Sequence, residues 1–152
     1  MTLDRYSGPT LSLFRIVTGL FFFTHGLASL FGVFGGHRGT GQVVAFGAWP
    51  NWWAAIIELV CGGLVLTGLF TRLAATLASG TMAYAYFTVH APQGLIPVQN
   101  GGELAAMFSW SFLIIAVLGP GTWALDTLIH RKYGHAADTP AATATENVGR
   151  AV

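Results

Sequence analysis

The sequence predicts an all-α protein: an integral membrane four-helix bundle with a short C-terminal surface helix. Three observations carry this. Only 9% of the residues are charged and 53% are hydrophobic, whereas a soluble domain carries about a quarter charged residues. The mean hydropathy is +0.60, and long apolar stretches alternate with Gly, Pro and polar punctuation. The stretch 52–70, WWAAIIELVCGGLVLTGLF, is apolar throughout except for Glu58. About 19 such residues make a helix of roughly 28 Å, close to the hydrocarbon thickness of a bilayer. A carboxylate about a third of the way in costs several kcal/mol unless it faces the protein interior and has a partner.

The composition also excludes some chemistry. The single cysteine, Cys61, allows no internal disulfide and no Cys-x-x-Cys pair, and it reads as a small packing residue. No basic run points to nucleic acid. Arg5 precedes an apolar run, as in a signal peptide. That run is long, contains Arg15 and His25, and leads to no small-residue cleavage site, so it reads as a retained first span. One transmembrane domain is expected over 1–133, followed by an Ala/Thr/Asp-rich disordered tail over 134–152.

Thr10 is a helix-start residue, and the first span is expected over about 11–34. At 100° per residue Arg15, Gly19, Phe22, Gly26 and Ser29 share one face, with His25 on its shoulder. Small residues there allow close helix contact, so this face is expected to point inward. Residues 35–51 form a Gly-rich loop closed by Trp49-Pro50-Asn51-Trp52-Trp53, an aromatic interface belt. The second span, 52–70, carries Gly62, Gly63 and Gly68 as another close-packing face.

The very short Thr71-Arg72 turn makes spans two and three antiparallel neighbours. The third span, 73–90, carries the small-residue stripe Ala75, Ser79, Ala83, and Ala91-Pro92 ends it. A second loop leads to Asn100-Gly101-Gly102-Glu103, which opens the fourth span, 103–119; Gly119-Pro120-Gly121 breaks it. The surface helix is expected over 123–133.

Arg5, Arg72, Arg131 and Lys132 fall on one side of such a bundle and only Arg38 on the other. The positive-inside rule then places both termini in the cytoplasm of a bacterial inner membrane. On the helix rise, His25 lies roughly 21 Å from the cytoplasmic side and Glu58 roughly 9 Å from the outer side, about level in a 30 Å core. His90 and Glu103 fall at the outer ends of spans three and four. His25, Glu58, Tyr86, His90 and Glu103, with Trp110, are therefore the candidate ligand-binding residues. A polar handle beside aromatic walls suits a quinone-type headgroup, and imidazole with carboxylate suits proton-coupled chemistry. The same groups lack tight metal-ligand spacing, so no metal is assigned. A structural clasp of Glu58 to His25 or Arg15 stands beside the functional reading. Arg15 has Asp126 as its most level acidic partner, a structural ion pair near the cytoplasmic border.

Taken together, Arg15, Gly19 and His25-Gly26, then Glu58, Gly68 and Thr71-Arg72, then Asn100 to Leu104 and Gly119-Pro120-Gly121 before Asp126, resemble the DoxX family of small bacterial and archaeal membrane proteins over about residues 8–133. The resemblance implies a four-helix membrane bundle linked to respiratory redox chemistry. Relatives in the DoxD/DoxA group are subunits of a thiosulfate:quinone oxidoreductase. An actinobacterial member is linked to a membrane complex with superoxide dismutase and a sulfurtransferase. The resemblance supplies no catalytic residues.

The expected function is thus an inner-membrane subunit of a redox complex that interacts with quinone or with redox enzyme partners in the bilayer. Two alternatives stand beside it. One is a homo-oligomeric bundle transporting a small molecule or protons. The other is a non-catalytic anchor or assembly subunit.

Overall fold

The structure, a computed structural model, describes residues 3–129. Among these residues the regular structure is helical. It comprises α1 (Ser7–Phe31), α2 (Asn51–Thr67), α3 (Thr71–Ala85), the single turn α4 (Pro97–Asn100) and α5 (Glu103–Leu118). Residues 125–129 begin the expected surface helix. Its remainder, 130–133, and the expected tail lie outside the described residues.

Helix ends follow backbone chemistry rather than hydropathy. The first span was expected to reach residue 34, but Gly32 adopts a left-handed conformation (φ 73°) and its N–H bonds to the Ala28 carbonyl, ending α1 three residues earlier. Gly68 (φ 75°) ends α2 in the same way, with the Leu69 N–H bonded back to Leu64 O at 3.0 Å. The third span is not one regular helix. α3 stops at Ala85, and Tyr86–His90 winds as a wider π-helical turn before a 3₁₀ turn carrying Pro92. A π-helical turn rotates the residues beyond it relative to those before.

Two tight helix pairs build the bundle. α1 and α2 touch backbone to backbone. A Cβ added at Gly19 would lie 2.6 Å from the Leu66 nitrogen, and one at Gly62 would lie 2.5 Å from the Phe23 nitrogen. Gly26 is pressed still closer to the Leu59 nitrogen. The inward face expected for α1 is the one observed: Arg15, Gly19, Phe22, Gly26 and Ser29 are all buried. α3 and α5 pair through reciprocal bonds, Ser79 Oγ to Ser109 O at 2.9 Å and Ser109 Oγ to Ser79 O at 3.1 Å. The pairs join over a core of Phe22, Val65, Ala74, Ala75, Ala78, Phe112 and Ile115, with Cys61 packed among them. Phe22 meets Phe112 edge-on at 4.7 Å.

The outside of the bundle is apolar. Leu13, Phe21, Val60, Leu73, Leu77 and Val117 are each more than half exposed. The helical stretch Asp4–Phe31, 28 residues, is long and apolar enough to cross a membrane, yet only 33% of its most apolar window is buried. α2 and α5 are apolar but shorter, at 17 and 16 residues.

One end is locked by charges that serve main-chain groups. Arg15 is 1% exposed. Its guanidinium donates to Pro120 O at 2.9 Å and Leu66 O at 2.7 Å, and also to the carbonyls of Val65 and Trp123. It therefore caps the C-terminal end of α2, where carbonyls lack helical partners. The expected acidic partner, Asp126, lies at this same end and also serves main-chain groups. The Asp126 carboxylate accepts from Phe70 N at 2.9 Å, Thr71 N at 3.0 Å and Thr71 Oγ1 at 3.0 Å, capping the start of α3. Arg72 donates to Ala116 O and Val117 O at 2.9 and 2.8 Å, capping α5.

Candidate functional site

At the opposite end the helices diverge around a cavity of about 420 Å³. α1 contributes Phe22, His25 and Ser29, α2 contributes Ala54 and Glu58, and α5 contributes Leu104 and Phe108. Met82 of α3 and His90 of the π-helical turn also line it. Phe108 and Phe112 stack at 5.9 Å, and Phe22 lies 5.4 Å from Phe108, so aromatic rings floor the cavity. His25 meets Phe108 edge-on at 5.9 Å.

The level argued from helix rise thus brings His25, Glu58 and His90 to one cavity. It does not bring Glu103, Tyr86 or Trp110 there. The buried residues of α5 are Ala105, Phe108, Phe112 and Ile115. Glu103 and Trp110 each sit two residues from a member of this stripe, about 200° round the helix, and both are exposed. Tyr86 packs behind His90, with ring centroids 6.5 Å apart, and its hydroxyl donates to Leu95 O at 2.9 Å.

The three cavity groups differ in what they have left to offer. His90 Nδ1 donates to Asn100 O at 3.1 Å, since a carbonyl only accepts. That fixes the ring and leaves Nε2 as its remaining polar atom. Asn100 is itself buried, holding Gly94 O at 2.6 Å and accepting from Gly102 N at 2.7 Å, so the His90 support is rigid. Among the described residues, His25 and Glu58 make no hydrogen bond with the protein, and no buried polar side-chain atom is left unsatisfied. Their polar atoms are therefore available to whatever enters the cavity.

His37 and Arg38, from the α1–α2 loop, also reach the cavity. The loop folds back on α1: His37 Nδ1 lies 3.0 Å from Ser29 Oγ, and Val44 N donates to Ser29 O at 2.9 Å. Partial burial, and then the neighbouring Arg38 charge, push the His37 imidazole below its ordinary value. Arg38 lines the same cavity as Glu58. Sequence reasoning passed over His37 and Arg38. The available signal was that Arg38 is the one cation assigned to the outer end, on a loop rich in glycine. Among the described residues, no group of three or more His, Cys, Asp or Glu side chains could hold a metal ion.

An apolar exterior around a bundle with a polar-ended, aromatic-floored cavity defines a small α-helical protein of membrane type. The chain belongs to the DoxX family, whose model matches residues 10–91. It is 37% identical to an uncharacterized protein of Haemophilus influenzae over 137 residues, 86% of this chain and 98% of that relative. It is 32% identical to the "Putative oxidoreductase CatD" of Bacillus subtilis over 122 residues, 78% of this chain and 86% of that protein. The inner membrane protein YqjF of Escherichia coli matches at 28% over 124 residues, 78% of this chain and 91% of that protein. No solved structure matches the chain significantly. The protein is a membrane protein in contact with the lipid bilayer.

Proposed function

We propose that the chain crosses the bacterial cytoplasmic membrane four times, with both termini in the cytoplasm, and serves a redox complex by binding a quinone-type headgroup in the cavity. The observation that carries this reading is the unused pair His25 and Glu58 facing one apolar-floored space. The cavity's volume of about 420 Å³ lies within the range of about 300–1,000 Å³ usual for small-ligand sites. Phe22 and Phe108 supply faces for a flat ring, while His25, Glu58 and His90 supply polar contacts for its oxygens. The exposed apolar residues of all four long helices suit a lipid surround, which is also where a tailed quinone resides. The oxidoreductase in the name of the Bacillus subtilis relative agrees with this class. Electrons would pass between the bound quinone and a partner protein.

The transport reading is less well supported. Aromatic rings floor the cavity, and beyond them the Arg15 clasp closes the bundle's other end. The experiment is purification in mild detergent followed by solvent extraction and quantification of quinone. The reading expects near-stoichiometric quinone with the wild type and a several-fold loss with Glu58→Gln and Phe108→Ala. A quinone-free wild type that still co-purifies with protein partners would replace it with the anchor reading.

A further inference from the structure

The cavity described above holds one acid, and the loop sets a base against it. Arg38 stands between Gly36 and Gly39 and adopts a left-handed backbone conformation (φ 52°). A non-glycine residue held there is strained and persists only where surrounding structure enforces it. Here the enforcement is visible. His37 is tied to Ser29, its N–H bonds to Gln42 O at 2.8 Å, and Gly41 N bonds to Gly35 O at 2.7 Å. The loop is therefore built around the strained residue, and that residue lines the cavity. Among the described residues Arg38 makes no hydrogen bond or ion pair. It lines the same space as Glu58.

A guanidinium only donates hydrogen bonds and an ionised carboxylate only accepts them. A ligand lying between the two satisfies both if it accepts at one edge and donates at the other. An oxidised quinone has acceptor oxygens alone, so its carbonyl facing Glu58 would meet a second acceptor. A hydroquinone has a hydroxyl to donate to Glu58 and oxygen lone pairs to accept from Arg38. We infer that Arg38 is a ligand-binding residue, and that with Glu58 it makes the cavity selective for the reduced, hydroquinone form of its ligand. This inference rests on the quinone reading given above and assigns the redox form that the site holds.

The hydroxyl–carboxylate bond and the guanidinium–oxygen bond are both charge-assisted, about twice as strong as neutral ones. The chemistry gives the two residues different signatures. Arg38 donates to an oxygen in either redox form, so its loss weakens both. Glu58 accepts from the hydroquinone alone, so its loss removes the preference.

The test is anaerobic titration of the purified full chain in nanodiscs at pH 7.5, read by tryptophan fluorescence. The probes are 2,3-dimethoxy-5-methyl-1,4-benzoquinone and its hydroquinone. The expected results are a hydroquinone Kd about 10-fold lower than the quinone Kd in the wild type, a several-fold weakening of both forms in Arg38→Gln, partial recovery in Arg38→Lys, and equal affinities in Glu58→Gln. Arg38 is exposed and bonded to nothing, so its replacement leaves the fold intact, which circular dichroism verifies. Wild-type binding with equal affinity for the two forms, or binding unchanged in Arg38→Gln, overturns the inference and leaves the quinone reading standing. Failure of the wild type to bind either probe overturns both.

Discussion

Arg15 gives the sharpest test of the fold. Replacing it with methionine keeps most of the volume and removes the guanidinium. Its four acceptors are the carbonyls of Val65, Leu66, Pro120 and Trp123. Val65 O also accepts from Gly68 N, so it keeps one partner. The other three carbonyls lose the donor that Arg15 supplied. A buried acceptor left unsatisfied costs about 1–3 kcal/mol, and recovered desolvation of the guanidinium offsets part of the sum. The expected net loss is about 3–6 kcal/mol, a large share of the 5–15 kcal/mol typical of a whole domain. The assay is reversible unfolding in mixed micelles, with Arg5→Met as the control. Arg5 is exposed and lies over the Tyr6 ring at 4.6 Å, so its loss should cost under about 1 kcal/mol. An Arg15→Met protein as stable as the control would refute the assignment of Arg15 as the clasp joining α1, α2 and the segment after α5.

Three other outcomes are expected. Gly26→Ala places a methyl group against the Leu59 backbone, so α1 and α2 must separate; thermal stability should fall by about 2 kcal/mol or more, while Gly80→Ala, where a Cβ meets nothing within 4 Å, should be neutral or slightly stabilising. The folded state disfavours protonated His37. The loop's stability is therefore fully present above the unfolded imidazole value of about 6.5 and lost as pH falls through it; amide exchange over residues 33–44 should quicken between pH 7.5 and 5.5 in the wild type and be flatter in His37→Gln. A C-terminal green fluorescent protein fusion should fluoresce and a C-terminal alkaline phosphatase fusion should be inactive if, as proposed, both termini lie in the cytoplasm; the reverse result would invert the topology.

The inward face of α1 was legible because a helix repeats every 100° and small residues mark close approach: Gly19 and Gly26 were placed correctly by spacing alone. The level of the polar groups was also legible, because rise per residue is fixed. Direction around the axis was not. Glu103 has the right height and the wrong azimuth, and the π-helical turn at Tyr86–His90 shifts phase in a way no periodic reading anticipates. The partners of Arg15 were hidden for another reason. A search of the sequence looks for an opposite charge, whereas the acceptors are main-chain carbonyls at the end of α2, which no side chain announces. Arg38 and His37 were missed because residues 35–51 read as a Gly-rich loop closed by an aromatic belt, and the bonds from His37 and Val44 to Ser29 reveal that the loop folds back over the cavity.

The central claim is that the space among His25, Glu58 and Phe108 holds a quinone-type ring. Photolabelling of native membranes with an azido-benzoquinone, followed by peptide mapping, tests it most directly. The account predicts labels on the cavity walls of α1, α2 and α5, suppressed by excess unlabelled quinone and reduced in Phe108→Ala. Labels confined to outward-facing positions such as Phe21, Val60 and Leu113, insensitive to competition, would contradict it.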